Sequence, residues 1–157
     1  LSIHSIFNDL KSQNIKISIN SLYDILQYLQ NVFFVSLLEN YHNNKWQKKV
    51  YPIDTIYHHI YAKNTDFWQK FETMVYHHLK SSSSSELYYK KQHNEIDFTS
   101  DSLGNIQVCR DLNHGNIERE TRSLSSWDSI VVYRMPSKDI QLYCAQRTIT
   151  IKTLYSL

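Results

Sequence analysis

Residues 94–109, NEIDFTSDSLGNIQVC, read as two short extended segments joined by a turn at Gly104. Side chains two apart share a face of a strand, so Ile96 and Phe98 lie opposite Asp97, and Ile106 and Val108 lie opposite Gln107 and Cys109. Each segment thus has one apolar face. The other face carries a carboxylate on the first segment and an amide followed by a thiol on the second. A carboxylate inside an apolar strand needs a partner or a ligand, because an unpaired buried charge is costly.

Working outward, ELYYKK (86–91) precedes the pair as a third extended segment, NIERETRSLSSW (116–127) follows as a charged helix, and SIVVYRM (129–135) returns to a strand. Upstream, FWQKFETMVYHHL (67–79) places Phe67, Phe71, Met74 and Val75 on one stripe, flanked by Trp68, Tyr76 and Leu79, which predicts a helix of about four turns. The serines at 81–85 form a polar connection after it. Helix, three strands, helix and strand predict an α/β layer with a mixed central sheet covered by helices.

The N-terminal third has a different plan. IHSIFNDL (3–10) spaces Ile3, Ile6, Phe7 and Leu10 as a short amphipathic helix, and SLYDILQYLQ (21–30) points Leu22, Ile25, Leu26 and Leu29 one way, with Asn20 or Ser21 as its N-cap. VFFVSLLENY and WQKKVYPID, joined by HNNK, read as a hairpin. Helix, helix, hairpin is the order of a winged helix-turn-helix; a small helical cap fits it equally. The second helix has no Lys or Arg, whereas a DNA recognition helix uses them for base edges and phosphates. The basic residues Lys45, Lys48 and Lys49 at the hairpin tip and return are the nucleic-acid candidates, and also suit an edge strand charged against stray pairing. The expected domains are 1–54, winged-helix-like, and 55–157, the α/β layer.

Composition excludes several functions. The 157 residues are 41% hydrophobic and 20% charged, with net charge +2, which is too small to argue for nucleic acid. Gly104 and Gly115 are the only glycines, so neither a phosphate-binding P-loop nor a dinucleotide-binding glycine turn can be written. Cys109 and Cys144 lack Cys-x-x-Cys spacing, which suits a reducing compartment. No run of 18 apolar residues and no leader pattern is present, and a cytoplasmic location is expected. A first residue that is not Met suggests a piece of a larger protein.

The candidate chemistry centres on oxygen donors. Glu72 stands one turn from both Trp68 and Tyr76, beside the sheet-covering face of its helix. It is either paired at the edge of the core or aimed over the sheet end, where Glu72, Asp97 and Gln107 together would suit Mg²⁺. His58-His59 and His77-His78 are adjacent pairs without helical ligand spacing and read as surface or capping residues. Cys109 with His114 lacks a third orienting group and does not read as a nucleophile with its base.

A Glu on a helix, an Asp on a strand and (E/Q)-x-K on the next is the order of the PD-(D/E)XK nuclease superfamily, which this region resembles. FETMVYHHL, ELYYKKQHNEIDF and IQVCRDLNHGNIERETRSL also resemble the C-terminal region of prokaryotic AAA-type ATPases, a domain of unknown function preceded by a winged helix-turn-helix. SINSLYDILQYLQNVFFVSLL and VYPIDT look like the preceding segments, so the resemblance spans about residues 3–155. It implies a restriction-endonuclease-like fold, Glu72, Asp97 and Gln107 as metal ligands of an intact site, and an ATPase domain as partner. Cys109 stands where the superfamily has its lysine. That lysine positions the attacking water and offsets charge on the phosphate, which a thiol does not do. Lys91, Arg119 or Arg122 would have to replace it, while Arg110, one residue along the strand, falls on the other face. The expectation is therefore a non-catalytic interaction or regulatory module, needing no cofactor. An active Mg²⁺-dependent nuclease with a displaced cation, or a DNA-binding winged helix, are the alternatives.

Overall fold

A computed structural model describes residues 2–42, 47–57, 67–91 and 94–157. The chain divides into two compact units, Leu1–Thr65 and Asp66–Leu157. The first holds α1 (Ile3–Ser12), α2 (Ile19–Asn31) and an antiparallel hairpin of β1 (Val35–Glu39) and β2 (Lys48–Pro52), registered from Val35 opposite Pro52 to Glu39 opposite Lys48. Ser2 opens α1 with a capping box, its hydroxyl accepting from the Ser5 N–H at 3.1 Å while Ser5 Oγ accepts from the Ser2 N–H at 3.2 Å. Ser18, not the expected Asn20 or Ser21, caps α2 by accepting from the Ser21 N–H at 3.0 Å. Starting there brings Ile19 into the helix and against the core of Ile3, Leu22, Leu26 and Val50. At 100° per residue, Ile19, Tyr23, Leu22 and Leu26 then define the inward arc, and Ile25 falls outside it, 49% exposed, contrary to expectation.

The second unit opens with α3 (Phe67–Ser82) and continues through β3 (Tyr88–Lys91), β4 (Glu95–Ser100), β5 (Gly104–Asp111), α4 (Ile117–Thr121), β6 (Ser129–Arg134), α5 (Lys138–Gln146) and β7 (Thr150–Thr153), ending in a 3₁₀ turn at Leu154–Ser156. The five strands lie in the order of the chain. β3, β4 and β5 pair antiparallel, while β5, β6 and β7 pair parallel, so the sheet is mixed. Val108, Ile130, Val131 and Val132 are fully buried, as strands covered on both faces require. α3 covers one face, with Tyr76 against Phe98 and Phe71 against Tyr133. On the other, Cys109, Ile130 and Val132 share a core with Ile117 of α4 and Ile140 and Cys144 of α5. α5 and β7 are not predicted by the sequence pattern; with β6 they form a strand–helix–strand unit that extends the sheet. No helix among the described residues is long and apolar enough to cross a membrane.

Both helices of this unit that the sequence predicts differ from expectation. The buried side of α3 is Phe71, Glu72, Val75, Tyr76 and Leu79, with Phe67 and Met74 more than one-third exposed, so the inward stripe is rotated about one residue from the one predicted. α3 also absorbs the first two serines of the polar run, whose hydroxyls donate to the His78 carbonyl at 2.9 and 2.7 Å. The charged helix is only α4, with Thr121 Oγ1 donating to the Ile117 carbonyl at 2.7 Å.

The start of the central strand is fixed by one carboxylate. Buried Asp128 accepts from the Asn105 N–H at 2.9 Å, the Asn105 amide at 3.0 Å and the Ser125 N–H at 2.7 Å. Asn105 Oδ1 in turn accepts from Lys90 Nζ and Thr99 Oγ1, both at 2.9 Å, which ties in β3 and β4. Gly104 passes beneath at φ +69°, and a Cβ there would stand 3.2 Å from Asp128 Oδ1.

Three helices stop in the same way. Beyond α1 the Asn14 and Ile15 N–H groups donate to Lys11 and Leu10; beyond α2 those of Phe33 and Phe34 donate to Gln30 and Leu29; beyond α5 those of Thr148 and Ile149 donate to Ala145 and Cys144. This is the Schellman arrangement, whose left-handed residue is ordinarily Gly. Here Asn14, Phe33 and Thr148 hold φ of +59°, +58° and +56°. A β-branched residue is the least suited to that conformation. Thr148 is exposed, so Thr148→Gly is expected to stabilise the chain by about 0.5–1 kcal/mol, read from urea denaturation midpoints.

Candidate functional site

The antiparallel ladder between β4 and β5 runs from Ser100 opposite Gly104 to Phe98 opposite Ile106 and stops. At the next step the Val108 N–H donates to Asp97 Oδ2 at 3.0 Å, where a regular ladder would offer a β4 carbonyl. Asp97 is 7% exposed. A side-chain acceptor in place of a main-chain one parts the strands, and a cavity of about 340 Å³ opens there, lined by Asp97 and Gln107 together with Trp68, Arg119, Glu120 and Ser123.

The structure thus brings Asp97 and Gln107 together. Their close companion is Glu120 of α4, which the sequence reading did not single out. Glu120 is 8% exposed; Gln107 Nε2 lies 3.4 Å from its Oε2, and Arg119 donates to its Oε1 from Nε at 3.0 Å and Nη2 at 2.6 Å. Gln107 Oε1 is buried and, among the described residues, has no hydrogen-bond partner. One signal was available: Ile117, Glu120 and Thr121 fall at i, i+3 and i+4, which turns Glu120 to the same side as two buried residues.

Glu72 is buried on α3, one turn beyond Trp68, and is not among the residues lining this cavity. Among the described residues no three His, Cys, Asp or Glu side chains gather closely enough to hold a metal. Of the proposed replacement cations, Lys91 sits half-exposed on the outermost strand, 3.6 Å from Glu95; Arg119 is clamped on Glu120; and Arg122 is exposed. Arg110 is held by Asp111, Nε to Oδ2 at 2.5 Å. His77 and His78 are partly buried on α3, whereas His58 and His59 lie outside the described residues.

Cys109 is 3% exposed and belongs to the core beneath α4 and α5. Burial, reinforced by the negative charge of Glu120, pushes its thiol up to about 12. The group is therefore a neutral thiol at physiological pH, neither nucleophile nor cation substitute. His114 lies 2.6 Å from Asp139 at the surface instead of serving Cys109.

In the first unit, Lys48 pairs with Glu39 across the hairpin at 2.6 Å, and Lys49 is 6% exposed. Lys45 lies outside the described residues.

No protein-family model matches the chain, and no solved structure matches it. It is similar to an uncharacterized protein of Methanocaldococcus jannaschii, 29% identical over 151 residues, a match covering 90% of this chain and 32% of that protein. The chain thus spans about a third of the length of the curated relative it matches.

Asp97→Ala leaves the Val108 N–H without its acceptor and is expected to cost about 1–3 kcal/mol in urea denaturation, more than an exposed Asp101→Ala control. For Cys109 the folded value exceeds the unfolded one, so its contribution to stability is complete below about pH 9 and is lost as pH rises toward about 12. Denaturation curves across that alkaline range should fall more steeply for the parent chain than for Cys109→Ser. Aromatic disulfide reagents should leave Cys109 unlabelled at neutral pH until denaturant is added.

Proposed function

We propose that the second unit is a PD-(D/E)XK-like fold that binds or regulates without cutting, and that with the winged-helix-like first unit it forms the non-ATPase part of a prokaryotic AAA-type ATPase. The observation that carries this reading is Cys109. The superfamily resemblance calls for a cation at that position, and the chain places there a buried thiol held neutral by its surroundings. Hydrolysis of a phosphodiester builds negative charge that a preorganised cation must meet. Arg119 and Arg110 are each engaged by a carboxylate, and Lys91 stands out on the outermost strand, so no described cation takes the lysine's part beside Asp97 and Gln107.

One observation favours a Mg²⁺-dependent nuclease as a second reading. Gln107 Oε1 is a buried oxygen with no partner among the described residues, beside the carboxylates of Asp97 and Glu120. The donor set is nevertheless a poor fit: Asp97 Oδ2 is taken by the Val108 N–H and Glu120 Oε1 by Arg119, and Glu72 does not line the cavity. Mg²⁺ demands near-octahedral oxygen coordination.

The deciding experiment incubates the purified chain with single- and double-stranded DNA and RNA in millimolar Mg²⁺ or Mn²⁺, alongside a calorimetric metal titration. The non-catalytic reading expects no cleavage above that of a Glu72→Ala, Asp97→Ala double variant and no heat that the variant lacks. Metal-dependent cleavage abolished in the double variant would replace it with the nuclease reading.

A further inference from the structure

We propose that the C-terminal ends of the parallel pair β5–β6 form a binding groove for a single-stranded polynucleotide; this rests on the non-catalytic reading above and names the ligand class. Asp111, the last residue of β5, pairs with Arg134, the last of β6. Around that edge lie two adjoining cavities that share Arg110 and Asp111, one of about 430 Å³ running to Trp68 and Arg119, the other of about 340 Å³ running to Phe67, Tyr133 and Arg134.

The groove alternates cations with aromatic rings. Arg134 is exposed, has no carboxylate partner among the described residues, and sits 5.9 Å from the centre of the Tyr133 ring. Tyr133 is 49% exposed, yet its ring is fixed edge-to-face against Phe67 at 4.9 Å and Phe71 at 5.7 Å. A half-exposed ring locked by two others is a rigid platform for a base, at little cost in side-chain entropy. Asp111 engages Arg110 through Nε, which leaves both Nη groups for a phosphate.

The acids in the groove do not cancel this arrangement. The cavity at Tyr133 sets Arg110 and Arg134 against the single carboxylate of Asp111, while in the adjoining cavity Asp111 and Glu120 are matched by Arg110 and Arg119, so the excess positive charge lies at Arg134. A backbone following Arg134 and Arg110 can stack bases on Tyr133 and reach toward Trp68. Interleaved arginines and aromatics are what sequence-tolerant single-strand binding requires.

The test measures fluorescence anisotropy of a labelled oligothymidylate about 12 nucleotides long, within the site size of one binding module, against the full chain. Binding is expected to weaken with salt, and Arg110→Ala with Arg134→Ala should lower the slope of log K against log salt by about 0.7 for each phosphate no longer neutralised. Tyr133→Ala should weaken binding about 5- to 150-fold, with recovery in Tyr133→Phe, since stacking needs the ring and not the hydroxyl. Lys48→Ala in the hairpin should change nothing. No binding at low salt, equal affinity for thymidine monophosphate, or a dependence on Lys45, Lys48 and Lys49 with the groove variants silent would each overturn the proposal. Cleavage of the oligonucleotide would instead overturn the non-catalytic reading, and the two failures are separable because anisotropy run in EDTA reports binding alone.

Discussion

A single buried carboxylate sets the frame of the second unit. Asp128, just ahead of β6, takes both the main-chain and the side-chain N–H groups of Asn105 at the head of β5. Parallel neighbours cannot be registered by a tight turn, because a long crossover separates them. A fixed link between their first residues does that work. Strand register has a period of two, so a slip of one residue would send Gln107 and Cys109 to the face of Ile106 and Val108. Which side chains face the cavity therefore depends on Asp128 holding that register.

The sheet is tied tightly at one end and parted at the other. Where Asn105 gathers Thr99, Lys90 and Asp128, β3 to β6 are bound together; where Asp97 takes the Val108 N–H, β4 and β5 separate. Both ends rely on an acidic side chain, with opposite results. Asp128 adds bonds beside an intact ladder, while Asp97 takes over a donor that would otherwise continue one. The parting is what makes room for Trp68, Gln107 and Glu120 in a common cavity.

Much of this was legible in the residues. The alternation in 94–109 gave both strands, their turn and the shared face of Gln107 and Cys109, because each strand sends apolar side chains to one face and polar ones to the other with a period of two. The apolar spacing of α1 and α3 gave their extents to within a turn. α5 and β7 were not legible: KDIQLYCAQ has a weak stripe, with Leu142 63% exposed, and TIKT is too short to show a period. Helix ends were equally hidden, since they rest on Asn14, Phe33 and Thr148, where Gly is the usual signal. For the site, Asp97 and Gln107 could be paired from strand geometry. Glu120 could not be weighed without knowing that α4 lies against β5, nor could the neutrality of Cys109, which follows from burial that no spacing reveals.

Those glycine-free helix ends also act on the unfolded chain. A residue with a Cβ explores far less backbone space than glycine, so less conformational entropy is surrendered when it is fixed at φ near +58°. Against this stands the steric strain of the left-handed conformation, which is largely an enthalpic term. The entropic part scales with absolute temperature and the strain does not. Three such ends, in a chain with two glycines in all, therefore become less unfavourable relative to glycine on warming, so the net penalty of this way of stopping a helix shrinks as temperature rises.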